Sequence, residues 1–455
     1  MSKHENKKRS SFSGKLGFVL SAAGASVGLG NIWRFPYLAA KYGGGIFLLI
    51  YIILALTFGY SMIVAETSIG RMTGKSPVGA FHSFGKAKWL SFGGWINAII
   101  PILIVPYYSV IGGWVIKYLF EYMTGHANTV AADGYFSSFI SSGAATEICF
   151  LIFVFITLAI IFAGVRNGIE RVSKFMMPVL VVLSVVIAVY SVSRPGAIAG
   201  VKYFLIPNVE NFSWMTVVSA MGQMFYSLSI AMGILITFGS YMKKDVSIEG
   251  STKNVEIFDT AIAIMAGLMI IPAVFAFSGG DPDALQAGPA LMFITLPKVF
   301  ANMGFGTAVG ILFFLLVLFA AVTSSIALTE SAVSTFEDEL GWKATLVLAV
   351  IMVSLGSLSC LGYGPLANVT IIGMQFLDFF DFLTNSVMMP IAAIMICLLV
   401  SRAAGIKAVE AEVLHGEGTF RRKKIFCVMI KYICPIFAAI ILISSVANAF
   451  GWISM

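Results

Sequence analysis

Apolar residues in this chain run in long, nearly unbroken stretches, with polar residues collected in short segments between them. That pattern is neither the strict alternation of a half-buried strand nor the 3.6-residue period of a helix with one wet face. About 20 apolar residues in a helix cross a hydrocarbon layer about 30 Å thick. Eleven crossings are predicted, at roughly 14–38, 44–70, 90–121, 146–165, 169–193, 214–242, 256–279, 306–336, 343–361, 374–401 and 426–453. The chain reads as an all-α protein that passes repeatedly through a lipid bilayer.

Composition narrows the class. Hydrophobic residues make up 59% and charged residues 11%, against about 25% charged in soluble domains, which excludes a soluble enzyme and a disordered chain. The net charge of +7 would suit a nucleic-acid partner, but Lys and Arg are spread through short loops and form no stripe, so none is expected. With the N-terminus inside, 23 of the 29 Lys and Arg fall on inner segments and adjacent helix ends, as the positive-inside rule requires. Residues 1–13 are then a cytoplasmic segment, 402–425 a cytoplasmic loop, and the end of the eleventh span (426–453) lies outside. The basic run Lys7-Lys8-Arg9 and the string Ala23-Gly24-Ala25 imitate a signal peptide, yet the apolar pattern continues to Leu38, and cleavage would strand half a span in lipid. Cys149, Cys360, Cys397, Cys427 and Cys434 lack metal-type spacing and read as small core residues.

Span one carries Gly24-Ala25-Ser26-Val27-Gly28-Leu29-Gly30-Asn31, about ten residues beyond Lys15 and so near the middle of the membrane. The glycines admit two readings: close helix packing through Gly24 and Gly28, or an unwound helix whose freed backbone groups serve a ligand. Span six holds a second interruption at similar depth, Gly222-Gln223 through Gly233. Two such breaks five crossings apart favour unwinding, and they suggest an inverted repeat of 14–193 against 214–401. An unwound helix offers carbonyls from one half and amides from the other, a setting for a zwitterion beside a hard cation. Oxygen donors lie close by in sequence: Ser26, Asn31, Ser227 and Ser229, and the triplet Thr323-Ser324-Ser325. The Gly- and Pro-rich connection 279–297, with apolar Leu291, Phe293 and Leu296, is expected either to plug an external vestibule or to lie on the bilayer as an interfacial helix.

Gly24 to Tyr37, GASVGLGNIWRFPY, resembles the neurotransmitter:sodium symporters of the LeuT type, and the likeness continues through Gly43-Gly44-Gly45, Glu66, Tyr107-Tyr108, Gly222 to Gly233, Ala320 to Ser325 and Glu337 to Leu340. Within that family the chain looks like a bacterial transporter of the multi-hydrophobic amino-acid type. The resemblance implies a five-plus-five inverted repeat with helices 1 and 6 unwound at the midplane. Family members commonly have twelve spans; eleven are predicted here.

The resemblance also implies a site. A first sodium ion would use Ser26, Asn31, Ser227 and a span-seven group placed at Asp259, with the substrate carboxylate as a further ligand. A second would use the carbonyls of Gly24, Val27 and Ala320 with the hydroxyls of Thr323 and Ser324. Asp259 would supply the negative charge that chloride brings in other relatives; its plain alternative is a helix-end carboxylate near the cytoplasm. Gly28 stands where amine carriers have Asp, so the cargo should keep its own carboxylate, held by Tyr108. The implied substrate pocket comprises Gly28, Gly30, Ile104, Tyr108, Tyr226, Ser227, Ser229, Met232, Ser324 and Leu328. Its side-chain lining offers no partner for a charge, which implies hydrophobic L-amino acids, and Met232 suits several sizes.

Arg34 and Asp381 would form the outer gate above Tyr108 and Tyr226; Arg9 and Asp338 would form the inner one, with Phe12 and Tyr241 nearby, although Arg9 also fits simple positive-inside charge. Gly168 and Pro178 weaken the start of span five, which would either unwind to hydrate the second sodium site or simply carry a tolerated proline kink. The function implied is sodium-coupled import by alternating access from a bacterial inner membrane, with no organic cofactor. A proton-coupled carrier of the same fold, a non-transporting sensor and an intramembrane aspartyl protease built on Asp259 and Asp381 are the rivals.

Overall fold

The computed structural model describes residues 10–281, 284–285, 288–340 and 344–452, and among these every regular element is a helix. Among the described residues nine unbroken or gently kinked apolar helices are each long enough to span a bilayer, ten if one bent pair counts as a span. We number the main helical elements α1 to α11, beginning with that bent pair, α1a (Lys15–Ser26) and α1b (Gly30–Lys41), which meet at 54°. Then follow α2 (Gly45–Thr73), α3 (Lys88–Met123), α4 (Gly143–Phe162) and α5 (Val165–Val192). A second broken element, α6a (Trp214–Ser227) and α6b (Ile234–Ser240), precedes α7 (Ile248–Ser278). The last four are α8 (Gly306–Leu340), α9 (Ala344–Leu361), α10 (Phe376–Ala404) and α11 (Lys423–Ala449).

Local chemistry explains several ends. Ser213 accepts from the Thr216 amide at 3.2 Å, and the Thr216 hydroxyl accepts from the Ser213 amide, a capping box that starts α6a. Ser247 caps α7 by accepting from the Gly250 amide at 2.8 Å, and Gly279, at φ +74°, closes it in a left-handed turn. Capping at Ser247 makes α7 begin eight residues before the predicted 256. Glu249 and Glu256 are polar in sequence but buried, because the Arg421 and Arg422 amides bond Glu249 and the Arg422 guanidinium reaches Glu256.

The broken helices occupy the centre with α3 and α8. α4, α5, α9 and α11 form the outer wall, where Phe155, Phe162, Phe175, Val182, Leu346, Val350, Ile436 and Ile443 are exposed, as lipid contact requires. Within the predicted connection 279–297 and just beyond it, Leu291–Ala301 is helical, with Leu291, Phe293, Leu296 and Phe300 buried. Phe293 stacks on Phe136 at 5.2 Å and meets the edge of Trp114 at 5.7 Å. This segment packs into protein rather than lying on the surface of the bundle.

α6b is pressed onto α2 through small residues on both sides. A Cβ on Gly70 would lie 1.9 Å from the Ile236 carbonyl oxygen, and one on Gly239 would lie 2.5 Å from that of Thr67. Backbone cannot yield as a side chain does, so Gly70→Ala is expected to lower stability by about 1–3 kcal/mol. Thermal unfolding in detergent measures it, and an unchanged midpoint would mean that the contact is slack.

On the face where α1a starts, Arg71 at the end of α2 is buried and its Nε lies 2.6 Å from Glu412 Oε1 of the helix Ile406–Glu417, with Lys244 Nζ at 2.8 Å. Burial pushes the Glu412 carboxyl pKa up, but hydrogen bonds from Lys244 and Arg71 outweigh it and hold the group below the ordinary 4.5. A depressed carboxylate stabilises the fold above its unfolded pKa, and that share is lost as pH falls through the depressed value. Acid unfolding below about pH 4.5 should therefore begin at higher pH in Glu412→Gln than in the wild type, as followed by tryptophan fluorescence.

Candidate substrate and ion site

The backbone opens at 27–29 and at 228–233, the same breaks the sequence marks. In the second, Ser229 and Ala231 have φ of +52° and +59°, conformations that cost a non-glycine residue about 1–3 kcal/mol. Side chains from elsewhere hold them. Glu66, fully buried on α2, accepts the Ala231 amide at 2.8 Å; the Ser229 hydroxyl donates to the Ala25 carbonyl at 2.9 Å. Gln223 of α6a donates to the Gly30 carbonyl at the start of α1b at 3.0 Å, joining the two broken helices.

A small, nearly filled cavity lies between the breaks. Gly28, Gly30, Ile104, Tyr108, Tyr226, Ser229, Met232, Ser324 and Leu328 all line it, together with Ala25, Ser26, Leu29 and Asn31. Of the implied substrate residues, Ser227 alone stands behind the lining. The pocket is mixed in character: hydroxyls and open backbone gather at Gly28, while Ile104, Met232, Leu328 and the Tyr226 ring make the rest apolar. The Tyr108 phenol oxygen accepts the Leu29 amide at 3.3 Å and sits 3.0 Å from where a Cβ on Gly28 would be. Ser324 Oγ lies 2.7 Å from the same point, so an Asp here would collide with both hydroxyls.

Behind the pocket, Asp259 is fully buried eleven residues into α7. That depth removes the helix-end reading and follows from the early start of α7. Its carboxylate accepts from Asn31 Nδ2 at 2.8 Å, from the Ser227 hydroxyl at 2.7 Å and from the Tyr51 hydroxyl at 2.7 Å. Among the described residues no Lys, Arg or His side chain forms an ion pair with Asp259. A buried carboxylate with three donors and no cation is a place where a cation fits. Asn31, Ser227 and Asp259 meet as implied. Ser26 lines the cavity, but its hydroxyl turns back to the Ala22 carbonyl at 3.1 Å. Tyr51 was not foreseen, because one Tyr in an apolar run reads as packing; the available signal was a mid-membrane phenol, which needs a partner when buried.

The other implied ion ligands also converge. Ser324 Oγ lies 3.2 Å from the Gly24 carbonyl oxygen, 3.2 Å from that of Ala25 and 3.3 Å from that of Val27. One hydroxyl carries one hydrogen, so two of these carbonyls keep lone pairs aimed at the same region. Thr323 faces this cluster from α8 with its Cβ 3.2 Å from a Cβ placed on Gly24, while its hydroxyl turns back to the Phe319 carbonyl at 2.9 Å and that of Ala320 at 3.1 Å. Neutral oxygens alone suit a small hard cation.

Arg34, Tyr37, Tyr107, Asp378 and Asp381 line a second, larger cavity on the side away from the start of α1a, with about 1,490 Å³ of open space. Arg34 and Asp381 come to this cavity, yet no nitrogen-to-oxygen contact within 4 Å joins them; the Arg34 guanidinium instead stands 5.5 Å from the Tyr226 ring centre, and Asp381 accepts from Asn385 at 2.6 Å. Tyr226 lines both cavities and partitions them. At the opposite face Phe12 is buried against Phe18, Phe238 and Tyr241. Asp338 accepts the Ser76 amide at 2.8 Å, and Arg9, its implied partner, lies outside the described residues.

The family model described as the sodium:neurotransmitter symporter family matches residues 9–132 and 135–451. The chain belongs to that family. The crystal structure of MhsT in complex with L-phenylalanine matches it with a TM-score of 0.86 and 36% sequence identity, covering 96% of this chain and 100% of that one. The sodium-dependent transporter YhdH of Bacillus subtilis (strain 168), itself uncharacterized, is 34% identical over 89% of this chain and 90% of its own length. The taurine transporter of Rattus norvegicus, sodium- and chloride-dependent, is 28% identical over 83% of this chain and 68% of its own. This symporter is accordingly a multi-pass, sodium-coupled transporter of LeuT fold, not an enzyme.

Proposed function

We propose that this symporter imports hydrophobic L-amino acids with two sodium ions, without chloride, into a bacterial cell whose inner membrane it spans with the N-terminus inside and the C-terminus outside. The observation that carries the reading is the single cavity in which freed backbone and hydroxyls at Gly28 adjoin an otherwise apolar wall, flanked by Asp259 on one side and the Ser324 carbonyl cluster on the other.

Each group has a task. The substrate carboxylate would sit beside Gly28, bonded by the Tyr108 hydroxyl, and the side chain would lie among Ile104, Met232 and Leu328. Asn31, Ser227 and Asp259 would hold the first ion, Ser26 joining when its hydroxyl turns from Ala22. Gly24, Val27, Ala320, Thr323 and Ser324 would hold the second, binding α1a to α8. Ions favour the arrangement in which these ligands meet, and a ligand shifts an equilibrium only by its difference in affinity between the two states. Arg34 and Asp381 would close over Tyr226 when cargo is present, and Arg9 with Asp338 would open on the inner side.

Uptake of radiolabelled leucine and tryptophan into vesicles tests this. Uptake should vanish when potassium or choline replaces sodium and persist when gluconate replaces chloride. Accumulation without sodium would refute the coupling; binding of label without exchange of bound for free amino acid would identify a sensor.

A further inference from the structure

α1a begins without a cap of its own. Gly14 occupies the N-cap position, and no side chain of that residue can satisfy the amides of the first turn. A carboxylate from α5 reaches this end and bonds the residue just before the cap position. Glu170, 2% exposed, accepts the Ser13 amide on Oε2 at 2.8 Å, and its Oε1 takes the Ser13 hydroxyl and lies 2.6 Å from Lys174 Nζ. Gly17 makes room for it: a Cβ there would be 2.5 Å from the Glu170 carboxyl carbon. A negative group at a helix start meets the positive end of the helix dipole. Lys243 completes the ring by donating to the Ser13 carbonyl at 2.9 Å.

Two turns along α5, Met177 touches the same helix again, its sulfur 3.5 Å from a Cβ placed on Gly24. α5 thus grips α1a at its first turn and at the proposed second ion site. Glu170 ends the irregular opening stretch Val165–Glu170, which follows Gly164 at φ +80°.

We propose that Glu170 is a positioning residue for transport: through Ser13 it latches the start of α1a to α5, so that the inner path stays shut while its carboxylate is docked and α1a is freed when the latch lets go. This rests on the alternating-access reading above. Glu170 touches neither cargo nor ion; it acts through α1a.

The test uses the full chain in liposomes with Ser21→Cys, a buried position on α1a, as a reporter for a membrane-permeant maleimide; the reporter-free chain supplies the background from the native cysteines. With native Glu170, sodium should slow labelling. Glu170→Ala should raise the labelling rate in saturating sodium and the sodium concentration for half-protection by roughly fivefold, the usual effect of losing one buried hydrogen bond. Glu170→Gln should fall between, because its amide oxygen still accepts from Ser13 but the charge is gone. Gly17→Ala, whose methyl lands on the carboxyl group, should act like Glu170→Ala, and the double variant should be no worse than either, since both changes break one contact. Labelling of Glu170→Ala within twofold of the native chain, or additive effects of the pair, would overturn the proposal while leaving sodium coupling intact. If sodium fails to protect the native chain at all, the transport reading falls and the proposal with it; a merely structural Glu170 would reduce the folded amount without moving the sodium midpoint.

Discussion

Asp259→Asn is expected to reduce leucine uptake in chloride-free medium by about a hundredfold, with added chloride restoring much of it. The carboxylate is held by Asn31, Tyr51 and Ser227 and pairs with no basic side chain among the described residues. A unit charge about 4 Å from a cation at an effective dielectric of about 20 contributes about 4 kcal/mol, close to three powers of ten in affinity; a hundredfold allows for water and neighbouring oxygens making up part of the loss. Asparagine keeps the size of the side chain and leaves the Tyr51 and Ser227 hydroxyls free to face a mobile anion. Initial uptake rates in chloride and in gluconate measure both halves. Near-native uptake of the variant in gluconate would show that Asp259 supplies no charge to the ion site.

Gly28→Ala should weaken amino-acid binding by about five- to a hundred-and-fiftyfold, the range that follows from about 1–3 kcal/mol of overpacking. The new methyl would stand 2.7 Å from Ser324 Oγ and 3.0 Å from the Tyr108 hydroxyl, where the cargo's carboxylate is proposed to rest. Because side-chain tips meet it, the protein should still fold. Tyr108→Phe is the complementary change: it leaves room but removes a hydrogen bond to a charged group, a loss of about 1.5–3 kcal/mol. Equilibrium binding of labelled leucine in saturating sodium reads both. If Gly28→Ala binds within twofold of the native protein, the carboxylate lies elsewhere.

The two breaks were legible because glycine and polar residues stand out inside apolar helices, and nothing but a ligand or another polar chain satisfies backbone at that depth. The Thr323-Ser324-Ser325 triplet was legible for the same reason. What escaped the sequence depended on distant partners. The start of α7 was placed late because Glu249 and Glu256 look like loop residues until the Tyr60 hydroxyl, the Arg421 and Arg422 amides and the Arg422 guanidinium are seen to receive them. Tyr51 reaches Asp259 across 208 positions and Glu170 reaches Ser13 across 157, and no local period encodes such pairings. Ser26, foreseen as an ion ligand, bonds within its own helix because a serine in an apolar helix has a carbonyl four residues back as a ready acceptor.

Because one tyrosine ring divides the two cavities, the two faces of this symporter differ in how much has to move. On the side of Arg34 the proposed capture needs only a swing about the side-chain bonds of half-buried Tyr226, and the rotation of one side chain is faster than collective motion. On the other side the proposed release needs a helix to lift, Phe12 and its aromatic neighbours included, and collective motions of that kind take microseconds to milliseconds. Capture should therefore equilibrate many times before each delivery, so the slow step senses the concentration of cargo outside and hardly at all the speed at which it arrives.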